Sequence, residues 1–94
     1  MAQNKFEGNL SNGWKLTFTV CNVKDGDIDE VGEDWASEEA YEKMGNDLLE
    51  IINQFSYPVI RDTVFMDNEI LTVIERWFDP SEKTVFYWLT NDKF

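Results

Sequence analysis

The sequence predicts a small α+β domain in the order β-α-β-β-β, with one amphipathic helix packed across an antiparallel sheet. Three observations carry this expectation. The stretch from Trp14 to Val23 alternates in hydrophobicity, apolar residues recur at spacings of three and four from Tyr41 to Phe55, and the last third is dense in β-forming residues. The chain has 94 residues, 43% of them hydrophobic, with four Trp, three Tyr and seven Phe. That length suits one domain over residues 1–94, and that much apolar surface can offset the entropy of ordering it.

Residues 1–13 form a polar N-terminal segment in which Phe6 and Leu10 are the only large apolar anchors, and Asn9, Ser11, Asn12 and Gly13 signal a turn. In the strand over 14–23, Trp14, Leu16, Phe18 and Val20 share one parity, while Lys15, Thr17, Thr19 and Cys21 share the other. One face of that strand is therefore expected to be buried. Residues 24–36 read as an acidic loop by composition.

Ser37 is a favourable N-cap, and Glu38 and Glu39 follow it where the helix dipole favours negative charge. The predicted helix covers 37–55, with Tyr41, Met44, Leu48, Ile51, Ile52 and Phe55 as its apolar stripe. Tyr57-Pro58 stops it, because proline lacks the donor and disfavours helical geometry in the residue before it. Gly45 costs the helix about 1 kcal/mol relative to alanine, and its presence points to close packing on the sheet. Three strands are expected within 57–90: Val59 to Met66, Glu69 to Phe78 and Thr84 to Thr90. Asp67-Asn68 supplies a two-residue hairpin turn, and Asp79-Pro80-Ser81-Glu82-Lys83 a longer one.

The formal charge is −11, from 19 acidic and 8 basic residues with no histidine. Its distribution is uneven. Residues 25–50 hold Asp25, Asp27, Asp29, Glu30, Glu33, Asp34, Glu38, Glu39, Glu42, Asp47 and Glu50 against the single base Lys43, a net of −10. The rest of the chain is close to neutral. On the helix, Glu39, Glu42, Asp47 and Glu50 fall away from the apolar stripe and form an outward line. Like charges at that spacing oppose folding by a few tenths of a kcal/mol per pair. A solvated face that keeps the protein soluble is the simpler reading, but solubility does not require so concentrated a charge. Carboxylates about 5 to 6 Å apart along a helix approach the spacing of phosphates along a strand. These eleven acids are thus candidate partner-binding residues, in a surface that imitates nucleic acid and enters a basic groove.

The same charge excludes partners. Phosphate backbones and anionic membrane surfaces repel such a chain, so neither nucleic acid nor membrane is expected as a direct partner. The beginning of the chain carries no apolar export stretch, which makes the cytoplasm, of a cell or of an infected host, the expected location. One cysteine and no histidine remove the usual zinc, haem and triad chemistries, and no cofactor is expected. Asp25, Asp27 and Asp29 have the spacing that opens a calcium loop, but Glu30 stands where the turn glycine belongs and Ala36 where the bidentate glutamate belongs. They are a weak metal candidate only. Cys21 reads as a small packed residue with no base to activate it, and no phosphate loop or nucleophile elbow occurs, so an enzyme is not expected.

The last two strands carry large apolar groups on both parities, which requires cover on both faces of the sheet. Trp77, Tyr87 and Trp88 are the candidate interface residues there, covered by the N-terminal segment through Phe6 and Leu10 or by a second subunit. In size and charge layout the chain resembles two kinds of small protein, phage-encoded inhibitors of host defence, and immunity proteins, which neutralise nuclease toxins. That resemblance implies a non-enzymatic inhibitor or interaction protein whose partner is basic, a nuclease or another nucleic-acid-binding protein. A homodimeric structural or regulatory module built on the aromatic sheet face, and a weak calcium-binding domain, are the alternatives.

Overall fold

The computed structural model of the protein describes residues 6–32 and 35–92. Its elements are β1 (Phe6–Asn9), β2 (Lys15–Lys24), β3 (Asp27–Glu30), α1 (Glu38–Gln54), β4 (Thr63–Met66), β5 (Glu69–Asp79) and β6 (Thr84–Thr90). One helix thus packs on a six-stranded sheet, as an α+β domain should. No helix among the described residues is long and apolar enough to cross a membrane.

The element order and the strand directions differ from the expectation. The sheet runs β1-β2-β6-β5-β4, with β3 also paired to β2. β6 lies parallel to β2 from Lys15↔Thr84 to Cys21↔Thr90, so the sheet is mixed rather than antiparallel. The polar N-terminal segment contributes β1, which pairs Phe6↔Phe18 through Asn9↔Lys15. The acidic loop contributes β3, which pairs Cys21↔Glu30 through Lys24↔Asp27. Because β6 occupies one margin of β2, β1 and β3 lie end to end along the other. Both extra strands are four residues long. Their pairing to a long neighbour, not their own composition, makes them strands. The strand expected from Val59 begins only at Thr63; the residues before it form a loop tied down by Arg61 N–H to Val73 O at 2.7 Å and Val73 N–H to Asp62 O at 2.9 Å.

The helix begins as its sequence dictates. Ser37 is extended, and its hydroxyl accepts from Ala40 N–H at 3.1 Å, so the cap satisfies one of the orphan donors of the first turn. The helix closes with Phe55 N–H donating to Ile51 O, three residues before Pro58. Tyr41, Met44, Leu48 and Ile52 face inward and meet Leu16, Phe18, Val20, Leu71, Val73, Val85, Tyr87 and Leu89 from the sheet. α1 lies against β1 at one margin of the sheet and β4 at the other, so the twisted sheet curls around it. Glycine permits the approach at β1. A Cβ at Gly8 would sit 2.6 Å from Leu49 Cδ1 and 2.7 Å from Phe6 Cζ, and one at Gly45 would collide with the Phe6 ring.

Two hairpins carry the tight turns. Asp67 (φ 47°) and Asn68 (φ 67°) are both left-handed, the type I′ geometry that matches strand twist, and Asp25 (φ 53°) with Gly26 (φ 86°) repeats it between β2 and β3. A register shift between Val73 and Glu75 marks a bulge at Ile74 in β5. Beyond it the parity reverses: Arg76 and Phe78 pair with Tyr87 and Val85 on the helix side, and Glu75 and Trp77 pair with Trp88 and Phe86 on the outer side. The bulge explains why β5 shows large apolar residues on both sequence parities.

Candidate functional site

The expected acidic surface divides in two. Asp25 stands in the β2–β3 turn and Asp27, Asp29 and Glu30 on β3, all four exposed, while Glu38, Glu39, Glu42 and Glu50 are exposed on the helix. No Cα of α1 lies within 8 Å of one on β3, although the Glu30 carboxylate is near enough to the Tyr41 hydroxyl to help raise its pKa. Glu33 and Asp34, which connect them in sequence, lie outside the described residues. Among the described residues β3 pairs on one side only, so its four consecutive exposed residues present backbone groups and carboxylates at a sheet margin. Lys24 lies opposite Asp27 in the hairpin without reaching ion-pair distance, so among the described residues the acids of hairpin and helix form one ion pair, Glu39 with Lys43 at 3.5 Å, with both side chains largely in solvent. Such a pair contributes little to stability.

Asp47 has a different position from the other described acids of this set. It is half-buried at the flank of the helix, and its Oδ2 accepts the Asp67 N–H at 2.7 Å. The carboxylate joins the helix to the β4–β5 turn, a structural task that helical spacing alone does not reveal. Asp25, Asp27 and Asp29 lie on a β-hairpin rather than before a helix, and among the described residues no group of three possible ligands is placed to hold a metal ion.

Cys21 is fully buried beside β3. Burial first, then the Glu30 and Asp29 carboxylates, push its thiol up to about 11. The thiolate is therefore disfavoured, which opposes any nucleophilic role.

Among the described residues, Phe6 and Leu10 do not cover the second face of the sheet. Phe6 and Leu10 both enter the helix-side core, at 8% and 5% exposure. Tyr87 is also on that side, fully buried, and donates its hydroxyl to Pro58 O at 2.7 Å. Of the three expected interface aromatics, Trp77 and Trp88 are on the outer face, with Phe86, two residues before Trp88 on β6, as a third member. Trp77 is 48% exposed, and its ring centroid lies 6.0 Å from Phe86 and 5.6 Å from Trp88. Its indole N–H points to Glu75 Oε1 at 3.3 Å. Phe65 and Ile70, cross-strand partners near the β4 margin, are 60% and 62% exposed.

Beside the aromatic ridge lies an open concavity of about 390 Å³, walled by Glu7, Asp79 and Glu82, with Thr17, Thr19 and Thr84 and the Phe86 ring completing it. Asp79 is fixed by its own loop: its Oδ1 accepts from Ser81 Oγ at 2.8 Å, Ser81 N at 3.1 Å and Glu82 N at 3.4 Å. The Ser81 hydroxyl and the Glu82 amide hold this carboxyl below its usual range, so it stays charged. No residue on this face suggested a concavity in sequence, because the seven lining positions come from β1, β2, the end of β5, the β5–β6 loop and β6. Comparison of the chain with protein-family models, with curated proteins and with solved structures returns no match.

Proposed function

We propose that this protein is a small non-enzymatic binding protein that captures and inhibits a basic, nucleic-acid-handling protein. The observation that carries the reading is uncompensated charge: Asp25, Asp27, Asp29, Glu30, Glu38, Glu39, Glu42 and Glu50 are all exposed, and among the described residues only Glu39 forms an ion pair, although Lys24 stands opposite Asp27 across the hairpin. Charge left unpaired at a surface opposes compactness, so its concentration is explained by what it attracts. The carboxylates along the helix compete for a groove that otherwise holds phosphates, while the β2–β3 hairpin extends the field and steers encounter. Occlusion, not chemistry, is the mechanism.

The test is capture from a lysate of the native host at low and high salt, with identification of the captured protein. The expected result is a basic protein that elutes as salt rises and that a DNA or RNA oligonucleotide displaces. Glu39→Lys with Glu42→Lys and Glu50→Lys should abolish its capture. A captured protein indifferent to salt, to oligonucleotide and to charge reversal would overturn the reading.

A further inference from the structure

The outer face of the sheet carries an independent set of features. Trp77, Phe86 and Trp88 form a ridge of touching rings, and one end of it opens into the concavity walled by Glu7, Asp79 and Glu82. At the other end stands Glu75, whose carboxylate holds the Trp77 indole N–H. We infer that this face is a docking surface for an arginine- or lysine-bearing segment of a protein partner, with one basic side chain entering the concavity and the adjoining chain lying over the aromatic ridge. The inference rests on the proposed function only for the sign of the partner's charge, and it assigns the contact to a different face from the helix and hairpin.

Charge complementarity selects this occupant. The walls of the concavity are three carboxylates that form no ion pair among the described residues, and its remaining polar groups are threonine hydroxyls, which accept hydrogen bonds from a cation. An anionic ligand, whether a nucleic acid or a lipid headgroup, meets three like charges there. A purely apolar ligand would strip water from the same carboxylates without replacing it. A second copy of this chain, in a two-fold pairing of these faces, sets the acidic rim against itself on molecules that each carry −11. The volume of about 390 Å³ lies at the small end for a ligand cleft and suits a single long side chain. Arginine fits better than lysine, because a guanidinium can pair with a carboxylate edge-on while its flat face rests on Phe86 or Trp77. The ridge extends beyond the concavity, so a segment rather than a free cation fills the surface. Lys15 lies on the same face at the β1–β2 end and marks its boundary.

The test uses the whole protein and a capped tetra-arginine peptide, followed by the four indole N–H resonances and the backbone amides in a heteronuclear NMR titration. Trp77 and Trp88, with Thr17 and Thr19, should shift, while Trp14 and Trp35 should not. Glu7→Gln with Glu82→Gln should weaken binding about tenfold, and Trp77→Ala should weaken it comparably; Trp77 is half exposed, so its removal leaves the fold intact. The helix variant Glu39→Lys/Glu42→Lys/Glu50→Lys should retain the Trp77 shift. Shifts confined to the helix and hairpin would overturn this inference and leave the proposed function standing. No shift anywhere would overturn it as well. So would shifts of Trp77 and Trp88 that grow with protein concentration alone, alongside a dimeric mass by light scattering, because a second copy would then be the occupant.

Discussion

The ring of Phe6 lies so close against Gly45 that a Cβ on the glycine would fall among the ring carbons. A glycine in the middle of a 17-residue helix is costly, and this contact accounts for it. Gly45→Ala gains about 1 kcal/mol of helix propensity but inserts a methyl group into a filled, ring-lined space, which typically costs about 1–3 kcal/mol. The substitution should therefore lower the urea midpoint despite improving the helix. In a Phe6→Leu background, where the ring is gone, the same change should be neutral or favourable. An equal loss in both backgrounds would sink the explanation.

Asp47 belongs to the acidic helix in sequence and to the β4–β5 turn in space, through its 2.7 Å contact with the Asp67 amide. Asp47→Ala leaves that half-buried N–H without its acceptor and should destabilise the fold by about 1–2 kcal/mol. Asp47→Asn keeps an acceptor oxygen and should recover part of the loss, whereas Glu42→Ala on the exposed face should change stability little. At the turn itself, Asn68→Gly places the residue that most readily takes positive φ at 67° and should raise the melting temperature.

The buried thiol gives the protein an alkaline limit. Cys21 is raised from 9.0 to about 11, and Tyr41 from 10.0 to about 12. The folded state holds both protons more tightly than the unfolded chain does. Their contribution is fully present below pH 9, begins to fall as the unfolded thiol ionises, and is lost as pH rises through the folded values. Denaturant unfolding should show stability falling between pH 9 and 12, and Cys21→Ala should flatten the lower part of that fall. At pH 8, iodoacetamide should label Cys21 slowly in the folded protein and rapidly in denaturant. Fast labelling without denaturant would contradict both the burial and the raised pKa.

The elements that depend on local pattern were legible in the sequence, and those that depend on distant partners were not. The Ser37 cap, the stripe from Tyr41 to Ile52 and the Asp67-Asn68 turn are local features, and they occur where the spacing and residue types place them, whereas Phe55, expected to end the stripe, is the C-cap and 82% exposed. β1 escaped because Phe6-Glu7-Gly8-Asn9 has one large apolar residue and a glycine, and becomes a strand only by pairing with Phe18 through Lys15. β3 escaped because none of Asp27-Ile28-Asp29-Glu30 is a core residue and the strand pairs with β2 alone among the described residues. The parallel contact of β2 with β6 joins residues about seventy positions apart, which no local window reads. The same limits apply to the site. Composition located the acids and alternation located Trp77 and Trp88, but the division of the acidic surface, the private role of Asp47 and the Glu7-Asp79-Glu82 concavity arise from chain crossings.

Two buried tyrosines allow a controlled comparison of hydrogen bonding in this core. Both are at most 1% exposed, and both rings pack among the same apolar side chains. The Tyr87 hydroxyl donates to Pro58 O at 2.7 Å, an oxygen that also accepts from Arg76 Nη1 at 3.0 Å, and so fixes the loop between α1 and β4. The Tyr41 hydroxyl finds no partner among the described residues, although its ring stacks on Phe18 at 5.8 Å. Removing an oxygen that is bonded loses about 0.5–1.5 kcal/mol, whereas removing one that is buried and unbonded relieves a desolvation cost. Tyr87→Phe should therefore lower stability, and Tyr41→Phe should leave it unchanged or raise it. Pro58 O retains Arg76 in the first variant, so the loop should loosen rather than detach, with faster hydrogen exchange at Arg61 and Asp62 as the local sign. Equal losses of stability in the two variants would contradict an unpaired Tyr41 hydroxyl.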